Sequence, residues 1–221
     1  MNKDLKIKIL EKGGDKKMKK TIAVAFVLGC TMVSTGYATF INPGFETGDF
    51  SGWTLSNAGL GNVVTSHQGD AGSLYLPVEG SYFARLYAGA GAGVYTMLSQ
   101  PILLNSGDIL SGWAAFDYRD YHPWDDAAYV KVYDGLGSVV ATPWYEHGTA
   151  HSNYWDGPWT KWSWTAPRNG TYKLEYGVAN FGDNSASSAA LFDTIPEPIT
   201  LFLFGAGLIG LGLRKRKNVA V

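Results

Sequence analysis

The chain has 221 residues, 46% of them hydrophobic and 14% aromatic, and a formal net charge of −1. That near-neutral total hides an asymmetry: eight lysines precede Thr21 and four basic residues follow Leu213, while between Thr39 and Ile195 six Lys and Arg face fifteen Asp and Glu, a balance of −9. An acidic middle excludes nucleic acid as a partner, because phosphate binding needs clustered Lys and Arg, and its length suits one domain able to bury a core without staples.

Residues 1–17 are charged and contain glycines, and they serve no evident purpose ahead of the lysine pair that follows. They read as an extension or a misassigned start, with Met18 the expected first residue. Lys19 and Lys20 lead into the apolar or small run Thr21 to Gly29, and Gly36 and Ala38 suit the positions before a cut. Residues 18–38 therefore read as a secretory signal peptide, handled by the secretion machinery and removed by signal peptidase, so that the mature chain begins at Thr39. Val27-Leu28-Gly29-Cys30 also resembles a lipobox, in which Cys30 would become a lipidated first residue. Cys30 is the only cysteine. A chain cut after Ala38 has none, and disulfides cannot stabilise it.

Residues 39–194 form the expected domain, and their pattern is that of strands separated by glycine-rich turns. Strands are expected at Tyr82 to Tyr87, Val94 to Leu98 and Ile102 to Leu104. Leu110, Ala114, Phe116 and Tyr118 then share one parity, and Val130 and Val132 sit opposite Tyr129, Lys131 and Tyr133. Further strands are expected at Val139 to Thr142, around Trp162 and Trp164, along Tyr172, Leu174, Tyr176 and Val178, and at Ser188 to Asp193. Turns at Asn105 to Asp108, Asp134 to Gly137 and Pro167 to Gly170 punctuate them. No segment has a helical period, so the fold class is all-β, an antiparallel β-sandwich of the jelly-roll kind.

Seven of the eight tryptophans fall between Trp113 and Trp164, interleaved with acids, histidines and tyrosines. Arg119 to Asp126, Trp144 to His147 and His151 to Trp159 read as loops. Flat aromatic faces in polar loops can pack against the C–H face of a sugar ring while nearby polar groups bind its hydroxyls. Trp124, Trp144, Tyr145 and Trp155 are the expected platforms, and Arg119, Asp125 and Asn153 the orienting groups. The competing reading is that these rings merely pack; for Trp113, Trp162 and Trp164, which lie in strand patterns, core packing is the expectation. His122, Glu146, His147 and His151 raise zinc as an alternative, against which Gly148 argues by denying the two histidines a helical face. Asp125 with Glu146 is the one acid pair considered for glycosidic cleavage. No nucleophile elbow and no phosphate-cradling glycine loop is present. The expected protein is not an enzyme.

The chain closes on Pro196-Glu197-Pro198, an uncharged run Ile199 to Leu213, and the basic cluster Arg214, Lys215, Arg216 and Lys217, followed by the tail 218–221. Two prolines keep a helix from running on out of the domain. The apolar run is shorter than the roughly 20 residues of a comfortable span, and its basic end should stay cytoplasmic. Residues 195–217 resemble the PEP-CTERM sorting domain of exported bacterial proteins. That resemblance implies a membrane-held precursor, an exosortase-type processing enzyme as partner, and a final place at the cell surface or in the extracellular matrix.

Within the domain, Ile41-Asn-Pro-Gly-Phe-Glu-Thr-Gly-Asp-Phe-Ser-Gly-Trp-Thr54 is similar to the first strand of jelly-roll modules related to carbohydrate-binding and galactose-binding-like domains. Ala190-Leu-Phe-Asp-Thr194 resembles their closing strand. The resemblance implies a structural calcium ion where the first and last strands meet, held by Glu46 and Asp193. The aromatic loops and the sorting resemblance together point to an extracellular polysaccharide as partner, with a purely structural biofilm protein and a secreted glycan-active enzyme as the alternatives.

Overall fold

A computed structural model describes residues 40–183 and 185–194. The expected signal peptide, Cys30, the apolar tail and the basic cluster lie outside the described residues. In chain order the strands are β1 (Thr54–Leu55), β2 (Gly61–Val64), β3 (His67–Gln68), β4 (Leu74–Tyr75), β5 (Phe83–Tyr87), β6 (Thr96–Leu104) and β7 (Ile109–Tyr118). They continue as β8 (Asp125–Asp134), β9 (Val139–His147), β10 (Trp155–Asp156), β11 (Thr160–Thr165), β12 (Gly170–Phe181) and β13 (Ala189–Thr194). The only helical turn among the described residues is a short 3-10 segment, Gly148–Ala150.

These strands form two main antiparallel sheets. One has the order β1-β6-β12-β8-β9, and the other β10-β7-β13-β5-β2 with β11 also paired to β7. Taking the eight long elements β5 to β9 and β11 to β13 as first to eighth, the sheets read 2-7-4-5 and 1-8-3-6. That is jelly-roll connectivity, in which consecutive strands mostly cross from sheet to sheet.

The core forms where the inner parities of both sheets meet. Leu174, Tyr176 and Val178 of β12 and Val130 and Val132 of β8 face Ala114 and Phe116 of β7 and Ala190 and Phe192 of β13. Tyr176 and Phe192 stack across the gap with ring centroids 4.3 Å apart, and Trp144 and Trp162 stand edge-on around them. Such offset and T-shaped contacts add to the burial of these large rings. The alternation read from the sequence along β7, β8 and β12 therefore describes the inner faces correctly.

Three local expectations are corrected. The gap expected around Pro101 does not occur, and β6 runs unbroken from Thr96 to Leu104. Proline removes a ladder donor, but β1 pairs with β6 only at Leu98 and Ser99, so Pro101 lies beyond its reach on that side. Trp144 to His147 is no loop but the end of β9, in register with β8 from Ala127 to Val130. The segment 41–53 is a run of turns instead of a first strand, with Asn42 and Phe45 in the left-handed region at φ of 51° and 61°. Phe45 and Trp53 are buried and anchor it to the core; the Trp53 ring stacks on Tyr176 at 5.3 Å.

The two outer faces differ. The outer face of the β7–β13–β5 sheet is covered by the excursion between β2 and β5, whose Tyr75 packs with Trp159 of the β10–β11 connection on Phe83, Ala115 and Leu191. The Tyr75 hydroxyl donates to the Gly157 carbonyl at 2.8 Å, and the Trp159 indole N–H to the Leu76 carbonyl at 3.1 Å. The outer face of the five-stranded sheet instead presents aromatic rings to solvent.

Candidate functional site

On that open face, β8 turns Asp125, Tyr129, Lys131 and Tyr133 outward, because Val130 and Val132 fill the core and side chains alternate along a strand. Register places Tyr129 opposite Tyr145 of β9 and Gly177 of β12. Gly177 is required there: a Cβ would come within 2.4 Å of the Tyr129 ring, which lies across the glycine. Tyr95 packs edge-on against Tyr129 at 4.9 Å and against Phe181 at 5.7 Å, making a short aromatic strip. Tyr145 (51% exposed) and Phe181 (37%) are its most open rings.

The polar groups of this face are ordered. Lys131 Nζ stands 3.9 Å from the Tyr129 ring centroid, and Lys173 Nζ 4.0 Å from that of Tyr133. The Tyr129 and Tyr133 hydroxyls donate to Glu175 Oε1 at 2.9 and 2.8 Å, while Lys173 pairs with Oε2 at 2.7 Å. Burial works against ionisation of Glu175, yet hydrogen bonds from Lys173, Tyr133 and Tyr129 outweigh it and hold its carboxyl below the ordinary range. Conversely, burial and the carboxylate of Asp125 keep Tyr145 protonated, raising its phenol. Burial, Tyr145 and Asp125 do the same to Tyr95. These phenols are hydrogen-bond donors throughout the physiological range.

The seven residues expected to bind a ligand do not converge. Tyr145 and Asp125 meet on the open face. Trp144 cannot be a platform, since its ring is 6% exposed and packed on Phe192; the alternation of β9 sends Trp144 inward and Tyr145 outward. Trp155 is half-buried against the core, with His151 stacked on its ring at 3.5 Å. Trp124 is half-buried, and its ring borders Gly182. Asn153 accepts the His122 amide at 2.9 Å, bracing the loop end. Arg119 belongs to the opposite sheet, where its Nε pairs with Asp117 at 2.6 Å and a terminal nitrogen donates to the Gln68 carbonyl at 3.0 Å. Of the three tryptophans expected in the core, Trp162 is buried there and Trp164 packs against it. Trp113 does not join them; it faces outward on β7, with Lys161 Nζ 5.9 Å from its ring.

Tyr95, Tyr129, Lys131 and Phe181 were missed as site residues. The signal is present in the sequence, because Tyr129, Lys131 and Tyr133 occupy the parity opposite Val130 and Val132, but alternation alone does not tell which outer sheet face stays uncovered.

The acid pair Asp125 and Glu146 is separated by the sheet itself. Asp125 lies outward in line with His147, at 3.4 Å, whereas Glu146 is registered to buried Ala128 and holds His151 at 2.8 Å. They do not flank one bond. The histidines go separate ways as well, His122 Nε2 to the His151 carbonyl at 2.8 Å and His147 Nδ1 to the Thr149 hydroxyl at 3.2 Å. Among the described residues no three His, Cys, Asp or Glu side chains gather as a metal-ligand group.

Glu46 and Asp193 do approach one segment. Glu46 accepts the amides of Ser81 and Tyr82 at 3.0 to 3.2 Å, and Asp193 Oδ2 those of Val78 and Glu79 at 2.8 and 3.1 Å. Burial, with the charges of Glu46 and Glu79 beside it, pushes the Asp193 carboxyl up to about 6.

From the last residue of β13 onward, residues 194–217 match the family model described as the PEP-CTERM protein-sorting motif. The chain carries a PEP-CTERM sorting motif. A PEP-CTERM motif marks an exported protein that is held at the membrane before processing. No curated protein matches the chain in sequence. Among solved structures the PEP-CTERM chain is similar to TmCBM61 in complex with β-1,4-galactotriose, at 21% identity over 72% of this chain and 99% of that one, with a TM-score of 0.45. It is also similar to the K3 cleaved adhesin domain of Lys-gingipain from Porphyromonas gingivalis, at 17% identity over 71% and 97% of the chains, TM-score 0.44. A third is the CBM22-1 xylan-binding domain from Paenibacillus barcinonensis, at 14% identity over 68% and 87%, TM-score 0.38.

Proposed function

We propose that this is an exported, exosortase-processed protein of the cell surface or extracellular matrix, whose β-sandwich holds an extracellular polysaccharide without cleaving it. The observation that carries the reading is the open outer face of the five-stranded sheet. Tyr145 and Phe181 offer flat apolar surfaces to the C–H faces of sugar rings, with Tyr95 and Tyr129 behind them. Asp125, His147 and Lys131 supply acceptors and donors for hydroxyls. A sheet face backed by a packed core is rigid, so little ordering cost opposes a long, weakly contacted polymer. The separation of Asp125 from Glu146 favours binding over hydrolysis. Secretion through signal peptidase and anchoring by the C-terminal apolar run complete the proposed route.

The test is a glycan array with the purified chain, followed by Tyr145→Ala and Phe181→Ala. Each is expected to weaken binding about tenfold, worth ~1.4 kcal/mol, with an unchanged melting temperature. A blank array from folded protein would move the assignment to a structural matrix protein, and released oligosaccharide to a glycan-active enzyme.

A calcium ion bound by Glu46 and Asp193 belongs to the same proposal. The fit rests on two carboxylates drawn to residues 78–82, with no lysine or arginine among their hydrogen-bond partners in the described residues and with Asp193 buried. Calcium accepts carboxylate oxygens together with backbone carbonyls. An ion at a hundredfold excess over its dissociation constant stabilises by about 2.7 kcal/mol, or roughly 5–10 °C for a domain of this size. Chelator should reverse that gain, and Glu46→Gln should abolish the part due to this ion.

A further inference from the structure

At the opposite end of β12 from its first turn, the inner faces of the two sheets change from apolar to polar. Asp126 continues the inward parity of Val132, Val130 and Ala128 on β8, and Asn180 that of Tyr176 and Val178 on β12; the two are directly paired in register. From the other sheet, Asp120 follows two residues after the buried Tyr118, and Ser188 precedes β13. All four are at most 1% exposed.

Three of these residues keep a buried oxygen with no hydrogen-bond partner: Asp120 Oδ2, Asp126 Oδ1 and Asn180 Oδ1. Thr96 Oγ1, inward on neighbouring β6, is a fourth. Their other polar atoms are used. Asp126 Oδ2 accepts the Ser188 hydroxyl, Asp120 Oδ1 the Tyr121 amide at 2.8 Å, and Asn180 Nδ2 donates to the Ser185 carbonyl at 3.0 Å. The unpartnered oxygens thus belong to side chains whose orientation is already fixed. No Lys, Arg or His pairs with either carboxylate among the described residues, and Arg119, the nearest cation in sequence, is spent on Asp117.

Leaving a carboxylate oxygen buried and unpaired costs several times what an ordinary hydrogen bond contributes, and two such groups side by side repel. Buried polar atoms of one kind in one place call for a shared complement. Here every orphan is an oxygen, the donor set that a hard divalent cation takes from carboxylates and an asparagine carbonyl. We propose that Asp120, Asp126 and Asn180 are ligands of a calcium ion lodged between the two sheets, at the end of the sandwich that carries the β7–β8 and β12–β13 loops. Bound there, the ion ties the loop bearing Tyr121, His122 and Trp124 to the loop bearing Gly182 and Asp183, and it is separate from the ion proposed at Glu46 and Asp193.

The experiment is calcium titration calorimetry on the full chain in mild detergent, with terbium luminescence excited through the aromatic rings as a second readout. Variants are Asp126→Asn, Asp120→Asn and Glu46→Gln, and melting in chelator confirms that each is folded. Glu46→Gln is expected to retain one calcium, and Asp126→Asn and Asp120→Asn each to lower the affinity of that site at least tenfold and remove its terbium signal. If the Glu46 site does not exist, the wild type binds one ion, Glu46→Gln leaves it unchanged, and Asp126→Asn still removes it. A folded Glu46→Gln protein that binds no calcium, or carboxamide variants with unaltered stoichiometry and affinity, would overturn the assignment.

Discussion

Phe192→Ala is expected to lower the unfolding free energy by about 3–5 kcal/mol, measured by equilibrium denaturation. Phe192 is fully buried, stacks on Tyr176 of the facing sheet and receives the edge of Trp144. Removing its ring deletes the contact through which three strands of two sheets meet, and a rigid β-core collapses only partly into the space left. Against a typical total of about 5–15 kcal/mol the loss is large. Leu136→Ala, at a 92% exposed turn position, provides the control and should stay within about 0.5 kcal/mol. A change below about 1 kcal/mol for Phe192→Ala would mean that the two sheets are not held together through this stack.

Asp117→Ala should cost about 3 kcal/mol, for a different reason. Its carboxylate is completely buried on the outer side of β7 and accepts from His67 Nε2 at 2.7 Å, Arg119 Nε at 2.6 Å and the Asp70 amide at 3.1 Å. Arg85 donates to His67 Nδ1 at 3.2 Å, which leaves Nε2 to donate to the Asp117 carboxylate. Deleting the carboxylate strands a buried imidazole N–H and frees the segment that covers this face. Breaking a buried pair costs about 3–5 kcal/mol, and the lower end applies because the Arg119 side chain is 26% exposed and can turn to water. Burial opposes the charge on Asp117, but the bonds from His67, Arg119 and Asp70 more than compensate and lower its pKa. An acid lowered in the folded state contributes in full above its ordinary value near ~4 and loses that contribution as pH falls through the lowered one. The stability gap between wild type and Asp117→Ala should accordingly shrink as pH falls below about 4. A gap that grew as the pH fell through that lowered carboxyl value would contradict the ionised carboxylate.

The legible and illegible parts of this protein divide along one line. Alternation is local, so Val130 and Val132 against Tyr129 and Lys131, or Leu174 and Tyr176 against Lys173 and Glu175, told which side of each strand was dry before any pairing was known. Turn residues at Asn105 to Asp108 and Asp134 to Gly137 needed only their own neighbours, and both close as turns. Trp144 and Tyr145 show the limit. Adjacent aromatics next to a charged pair look like a loop, and only pairing with β8 over Ala127 to Val130 makes them strand residues that part company, one to the core and one to solvent.

The sequence by itself determined the all-β class, the inner parities, the sorting motif at the C-terminal end and an acidic domain, residues 39–194, that contains no cysteine. Tertiary structure decided which outer face stayed open, because that depends on where the excursion between β2 and β5 folds back. It also decided which acids meet. Asp126 and Asn180 are 54 positions apart, and Asp120 lies across the gap between sheets, so their common burial follows from strand order, which no spacing along the chain encodes.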